Sequence, residues 1–123
     1  MPQSGRMEDT MIEIRWHGRG GQGSFTASRI LGGAASLYGN KYSLAFPSFG
    51  PERRGAPMTA FTKINDKQIR DRSEIIYCDY IVLLDETLFT PLLLQDLKSG
   101  GKILINTVDG EKYKGISLGS LVT

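Results

Sequence analysis

Apolar and polar positions alternate through residues 11–16 (MIEIRW), and a period of two puts the apolar set on one face of a β-strand. This strand runs into glycines at 18, 20, 21 and 23. Beyond them Ala27, Ile30, Leu31, Ala34, Leu37 and Tyr38 recur at helical spacing, which predicts a helix over residues 24–38, capped by Ser24 and ended by Gly39-Asn40. Inside it Gly32-Gly33-Ala34-Ala35-Ser36 is poor in helix propensity, and its small side chains suit close packing against a sheet. Residues 42–46 predict a second strand ending at Pro47, and 58–64 (MTAFTKI) a third, closed by a turn at Asn65-Asp66. Between them residues 46–57 hold three prolines, two glycines and paired arginines, the composition of a shaped surface loop. The continuous apolar run 80–84 (YIVLL) predicts a parallel strand buried on both faces. Thr87 then caps a predicted helix reaching Leu97, Gly100-Gly101 stops it, and 102–108 (KILINTV) forms the next strand.

These elements imply an α/β fold: an open, mostly parallel, Rossmann-like sheet with a glycine loop after the first strand. Residues 1–10 read as a flexible leader and 11–123 as a single domain. Residues 115–123 resemble an interrupted continuation, so a truncated C-terminus is the expectation. With 123 residues and 40% hydrophobic content the chain suits one core rather than two. A net charge of +2, with acids and bases mixed, does not by itself point to nucleic acid. Cys78 is the single cysteine, which excludes an internal disulfide and a cluster held by this chain's own thiolates. No apolar run approaches the roughly 20 residues of a membrane span, and the expected setting is cytoplasmic.

The glycines match GxGxxG between a strand and a helix, where backbone amides can approach a phosphate at the positive end of the helix. A purely structural tight turn is the alternative. A triphosphate P-loop needs Lys after the last glycine, whereas Ser24 and Phe25 follow Gly23. An NAD site needs an acid some 20 residues on, and none occurs from Ile14 through Pro51, although Arg15, Arg19, Arg29 and Lys41 leave an NADP-type contact open. His17, the sole histidine, is read as a loop-orienting or packing residue before a group that hydrogen-bonds a ligand or shuttles a proton. Cys78, ahead of a buried strand, is read as an inert thiol, and Trp16 as a packing residue. Arg53 and Arg54 suit phosphates or an acidic partner, with Phe46 and Phe49 anchoring their loop.

Taken together and in order, RWHGRGGQG (15–23), TASRIL (26–31), FPSFGPERRGAPMTAFTKI (46–64) and VLLDETL (82–88) resemble the gamma subunits of pyruvate and related 2-oxoacid:ferredoxin oxidoreductases. The resemblance covers about residues 11–110. It implies oxidative decarboxylation of a 2-oxoacid, with the acyl group passing to CoA and two electrons to ferredoxin. It also implies alpha-, beta- and delta-type partner subunits that carry thiamine diphosphate and iron–sulfur clusters. On this basis Arg19, Gly20, Gly21, Gln22, Gly23, Arg53 and Arg54 are candidate contacts to CoA, which this chain helps to place; no catalytic residue and no metal ligand is expected in the chain. The competing readings are a subunit for another 2-oxoacid, a non-catalytic assembly module, and a free-standing NADP-binding protein.

Overall fold

The structure, a computed structural model, describes residues 11–48 and 55–113, and the backbone of 120–122. Six strands form one sheet: β1 (Ile12–Arg19), β2 (Tyr42–Pro47), β3 (Pro57–Asn65), β4 (Cys78–Leu83), β5 (Leu97–Ile105) and β6 (Ser120–Val122), in the spatial order β2-β3-β1-β4-β5-β6. β1, β4, β5 and β6 run parallel, while β3 lies antiparallel to both β1 and β2. β2 is thus parallel to β1 but one place removed, and the helix α1 (Ser24–Tyr38) crosses between them over the inserted β3. The mostly parallel open sheet matches the expectation from sequence.

α1 packs mainly over β2 and β3. Its inward face is made of Ser24, Ser28 and Gly32, all buried. A Cβ on Gly32 would sit 3.3 Å from Ser43 Oγ, and that hydroxyl donates to the Gly32 carbonyl at 2.7 Å, so the glycine sets the helix-to-strand distance. Gly33 meets nothing within 4 Å, so the close-packing argument holds for only one of the pair. Trp16 Nε1 donates to Thr62 Oγ1 at 3.0 Å, and Thr62 passes its own hydrogen to the Ser28 carbonyl at 3.0 Å, which ties β1, β3 and α1 together.

The core lies on the opposite face of the sheet. There Phe46, Phe61, Ile81, Leu83, Ile103 and Ile105 pack against Ile75, Leu94 and Tyr113 from the connecting segments. The Phe46 and Phe61 rings are 5.1 Å apart, and Phe89 meets Tyr113 edge-on at 5.2 Å. Strand alternation turns Ile81 and Leu83 into this core and leaves Tyr80 and Val82 on the α1 side, so β4 is fully buried on one face where the apolar run predicted two.

The second predicted helix is replaced by two 3₁₀ turns, Glu86–Leu88 and Pro91–Asp96. Pro91 is the cause: the residue before a proline avoids the helical region, and Thr90 is extended at φ −144°, ψ 144°. Gly100 and Gly101 lie within β5 instead of stopping a helix. Gly100 has φ +80°, and a Cβ on Gly101 would come within 2.9 Å of the Lys98 carbonyl and 3.0 Å of that of Cys78, so the pair builds an irregularity in register against β4.

Candidate functional site

The carboxyl ends of β1 and β4 meet the start of α1 at the glycine loop. The helix is capped by Gly23 in the left-handed region (φ 88°, ψ 25°), not by Ser24, and no side chain caps it. Its first backbone bond runs from Ala27 N to Gly23 O at 2.8 Å. The N–H groups of Ser24, Phe25 and Thr26 precede that bond and point out of the positive end of a 15-residue helix with no acid in its first turn. A shallow cleft of about 250 Å³ opens beside them, bordered by Gly21, Gly23, Ser24, Phe25, Thr26 and Met58.

Ser24 Oγ is buried and, among the described residues, is the one buried side-chain polar atom without a hydrogen-bond partner. It fills the space that the missing side chain of Gly18 leaves, where a Cβ would lie 2.4 Å away. Gly18 is therefore required sterically, a role distinct from phosphate approach.

The loop's polar side chains are bound within the chain. Gln22 Oε1 accepts from Arg19 N at 2.6 Å, and Gln22 Nε2 donates to Asp85 Oδ2 at 3.0 Å. The Arg19 guanidinium reaches Asp85 at 3.3 Å, the Thr87 hydroxyl at 3.0 Å and the Gly55 carbonyl at 3.2 Å. Asp85 also accepts from the Thr87 hydroxyl and backbone N–H, and these bonds, with Gln22 behind them, hold its carboxyl down at about 2. Gly20 N donates to Ala56 O at 2.7 Å and Gly20 O accepts from Gly55 N at 3.0 Å, so the glycine loop and the end of the proline-rich loop are stitched together. Of the sequence-predicted residues, Arg19, Gly20, Gly21, Gln22 and Gly23 come together here, and Arg53 and Arg54 lie outside the described residues. Asp85 and Thr87 were not among them. Their signal was DET at the end of a buried strand, the edge where α/β sheets hold ligands.

His17 lies on the core side of the same edge, where it borders a second cleft of about 310 Å³ with Ser48, Pro57, Met58, Thr59 and Leu88. Its Nε2 accepts from Arg15 Nε at 2.9 Å. Arg15 is clamped in turn by Asp96 at 2.6 Å and by the Ile75 and Ile76 carbonyls. Burial, and then the Arg15 charge, push the imidazole down to about 4. Cys78 is fully buried, and burial pushes its thiol up to about 11, which makes it the inert group expected.

Residues 13–118 match the family of pyruvate ferredoxin/flavodoxin oxidoreductases. The chain belongs to this family. It is 55% identical over 98 residues to the pyruvate/ketoisovalerate oxidoreductases common subunit gamma of Thermococcus litoralis, covering 79% of this chain and 52% of that one. It is 56% identical over 98 residues to pyruvate synthase subunit PorC of Methanothermobacter marburgensis, covering 79% and 55%. The chain thus spans about half the length of these relatives. The crystal structure of the pyruvate oxidoreductase subunit PORC of Thermotoga maritima superposes with a TM-score of 0.68 at 41% identity, over 85% of this chain and 54% of that one. At 16% identity, a 2-oxoglutarate:ferredoxin oxidoreductase from Magnetococcus marinus shares the fold, with a TM-score of 0.67 over 90% of this chain and 19% of that one. The resemblance read from the motifs is therefore upheld. Among the described residues, no helix is long and apolar enough to cross a membrane.

Proposed function

We propose that this chain acts as a gamma-type subunit of a cytoplasmic pyruvate-type 2-oxoacid:ferredoxin oxidoreductase, in which it helps to hold CoA beside thiamine diphosphate carried by a partner subunit. The observation that carries the reading is the start of α1, which has no side-chain cap, beside the braced glycine loop. Ser24, Phe25 and Thr26 offer backbone donors at a positive helix end, the arrangement that accepts a phosphate of CoA. Gly21 and Gly23 keep side chains out of the approach, and Arg19 and Gln22 act by fixing the loop against Asp85. Arg53 and Arg54 are the proposed source of further positive charge. Holding the thiol carrier next to the acyl donor speeds transfer through proximity and needs no nucleophile from this chain. Thiamine diphosphate supplies the carbon chemistry from a partner, and the single cysteine agrees with clusters held elsewhere. The names of the relatives, common subunit gamma and pyruvate synthase subunit, support the assignment.

An assembly role without CoA contact is favoured by one observation: three large apolar residues of α1, Ile30, Leu37 and Tyr38, face outward and are 67%, 78% and 88% exposed. Purification through a tag on this chain, followed by CoA-dependent 2-oxoacid oxidation with a viologen acceptor, tests the proposal. Co-purifying partners and CoA-dependent activity support it; isolation of the chain alone, or a complex inactive with every 2-oxoacid, overturns it. Thr26→Glu separates the two readings, since a carboxylate in the first turn suits the helix but repels a phosphate. A KM for CoA raised about tenfold in an intact complex, the scale of one charged contact, favours CoA placement, and an unchanged KM favours assembly.

A further inference from the structure

We infer that His17 is a fixed, uncharged hydrogen-bond donor that presents its Nδ1–H to a carbonyl or carboxylate oxygen of a ligand in the cleft at the carboxyl end of β1. The argument begins with Arg15, whose guanidinium can only donate. Because Arg15 Nε lies 2.9 Å from His17 Nε2, that ring nitrogen must be the acceptor, and the imidazole proton is left on Nδ1. Arg15 cannot turn away, since NH2 is held by Asp96 at 2.6 Å and NH1 by the carbonyls of Ile75 and Ile76 at 3.3 and 3.4 Å. Its side chain is 11% exposed, so its work is internal, and it is a positioning residue for the ring.

The charged groups that act on His17 are Arg15, which opposes a second positive charge, and Asp96, whose opposite effect is the smaller. The lone pair a general base would need is already occupied. What remains is Nδ1–H, and among the described residues none accepts it. The cleft that His17 borders mixes the Ser48 and Thr59 hydroxyls with Pro57, Met58 and Leu88, which suits a small polar group on an apolar stem. The identity of the oxygen rests on the proposed function: an amide of the pantetheine arm of CoA and the 2-oxoacid itself both present it.

The test uses the assembled oxidoreductase purified through this chain, with KM for CoA and for the 2-oxoacid measured separately. His17→Leu is expected to raise one of the two by roughly 3- to 10-fold, the worth of one neutral hydrogen bond, with kcat little changed. His17→Asn, whose amide N–H falls near the Nδ1 position, is expected to recover most of the loss. The KM that moves identifies the source. Wild-type values of both in His17→Leu overturn the proposal.

With ¹⁵N-histidine in this chain alone of the assembled complex, its single histidine gives one imidazole in the long-range ¹H–¹⁵N correlation and needs no assignment. It should show one neutral Nδ1–H tautomer from pH 7.5 to 5, and Arg15→Lys should release it. A cationic ring or an Nε2–H tautomer at pH 6 overturns the proposal. Should the complex lack CoA-dependent activity altogether, the proposed function fails separately. The same spectrum then decides the inference with pyruvate and pantetheine as probes: a moved Nδ1–H resonance supports it and a static one overturns it.

Discussion

The two faces of the sheet are closed by opposite means. The face that carries α1 is only partly covered among the described residues, because α1 sits over β2 and β3 and leaves a groove of about 330 Å³ lined by Ile12, Ile14, Trp16, Leu31, Ile64, Tyr80, Val82 and Leu104. The face covered by 3₁₀ turns and loops holds the dense core, with Ile81, Leu83 and Ile103 wholly buried. Regular structure and burial are therefore separable in this chain: helix α1 brings small polar residues to the sheet, while irregular segments bring Leu94, Tyr113 and Ile75. Parallel strands are ordinarily covered on both faces, and among the described residues the groove is the side with less cover.

That contrast can be broken most directly at Phe61. Phe61→Ala removes a ring from the closed face and should cost about 3–5 kcal/mol in urea unfolding. The next largest effect comes from pH. In the unfolded chain His17 takes up its proton near 6.5 and in the folded chain only near 4, so the unfolded state binds more protons between those values. Its contribution is fully present above 6.5 and is lost as pH falls toward 4, by about 3 kcal/mol over the interval. Replacing His17 should flatten the slope of unfolding free energy across that window. Asp85 and Glu86, both held down at about 2, act lower: their stabilisation is present above about 4 and is lost as pH falls through 2. The smallest effect sharpens the comparison from the other side. Leu104→Ala, on the groove face, should cost about 1 kcal/mol or less, since its side chain has water for a neighbour; a loss equal to that of Phe61→Ala would show the groove to be closed in solution.

The strand-loop-helix unit is legible from alternation, glycines and helical spacing between Ile12 and Tyr38, but not its inward face: Ile30, Leu37 and Tyr38, which carry the spacing, point outward, and Ser24, Ser28 and Gly32 meet the sheet. The absence of the predicted second helix is legible too: Pro91 stands within residues 87–97, and a proline fixes its predecessor's backbone more firmly than a cap such as Thr87 starts a helix. What the sequence hid was the pairing of distant charges. Nothing local to Arg15 foretells Asp96, which ends the 3₁₀ turn before β5, and nothing local to Gln22 foretells Asp85, which follows β4, the neighbour of β1. Nor does the spacing of Arg15 and His17, two apart on one strand face, announce that the guanidinium donates to the ring, a bond that takes up His17 Nε2. The helix cap failed for a steric reason, since the Ser24 hydroxyl is turned into the space above Gly18.

The place of β1 in the sheet has a consequence for the making of the protein. Both of its neighbours are late in the chain, Thr62 and Tyr80 flanking Ile14, and the first hairpin available to a growing chain is β2 with β3. During synthesis β1 must therefore wait, with both edges bare, until the residues of β3 and then β4 have left the ribosome. Non-local pairing of this kind is slow and exposes unpaired strand edges while it lasts. The alternating charges of Glu13 and Arg15 on that waiting strand oppose its pairing with the wrong partner, so they guard the nascent chain as well as bracing the finished one.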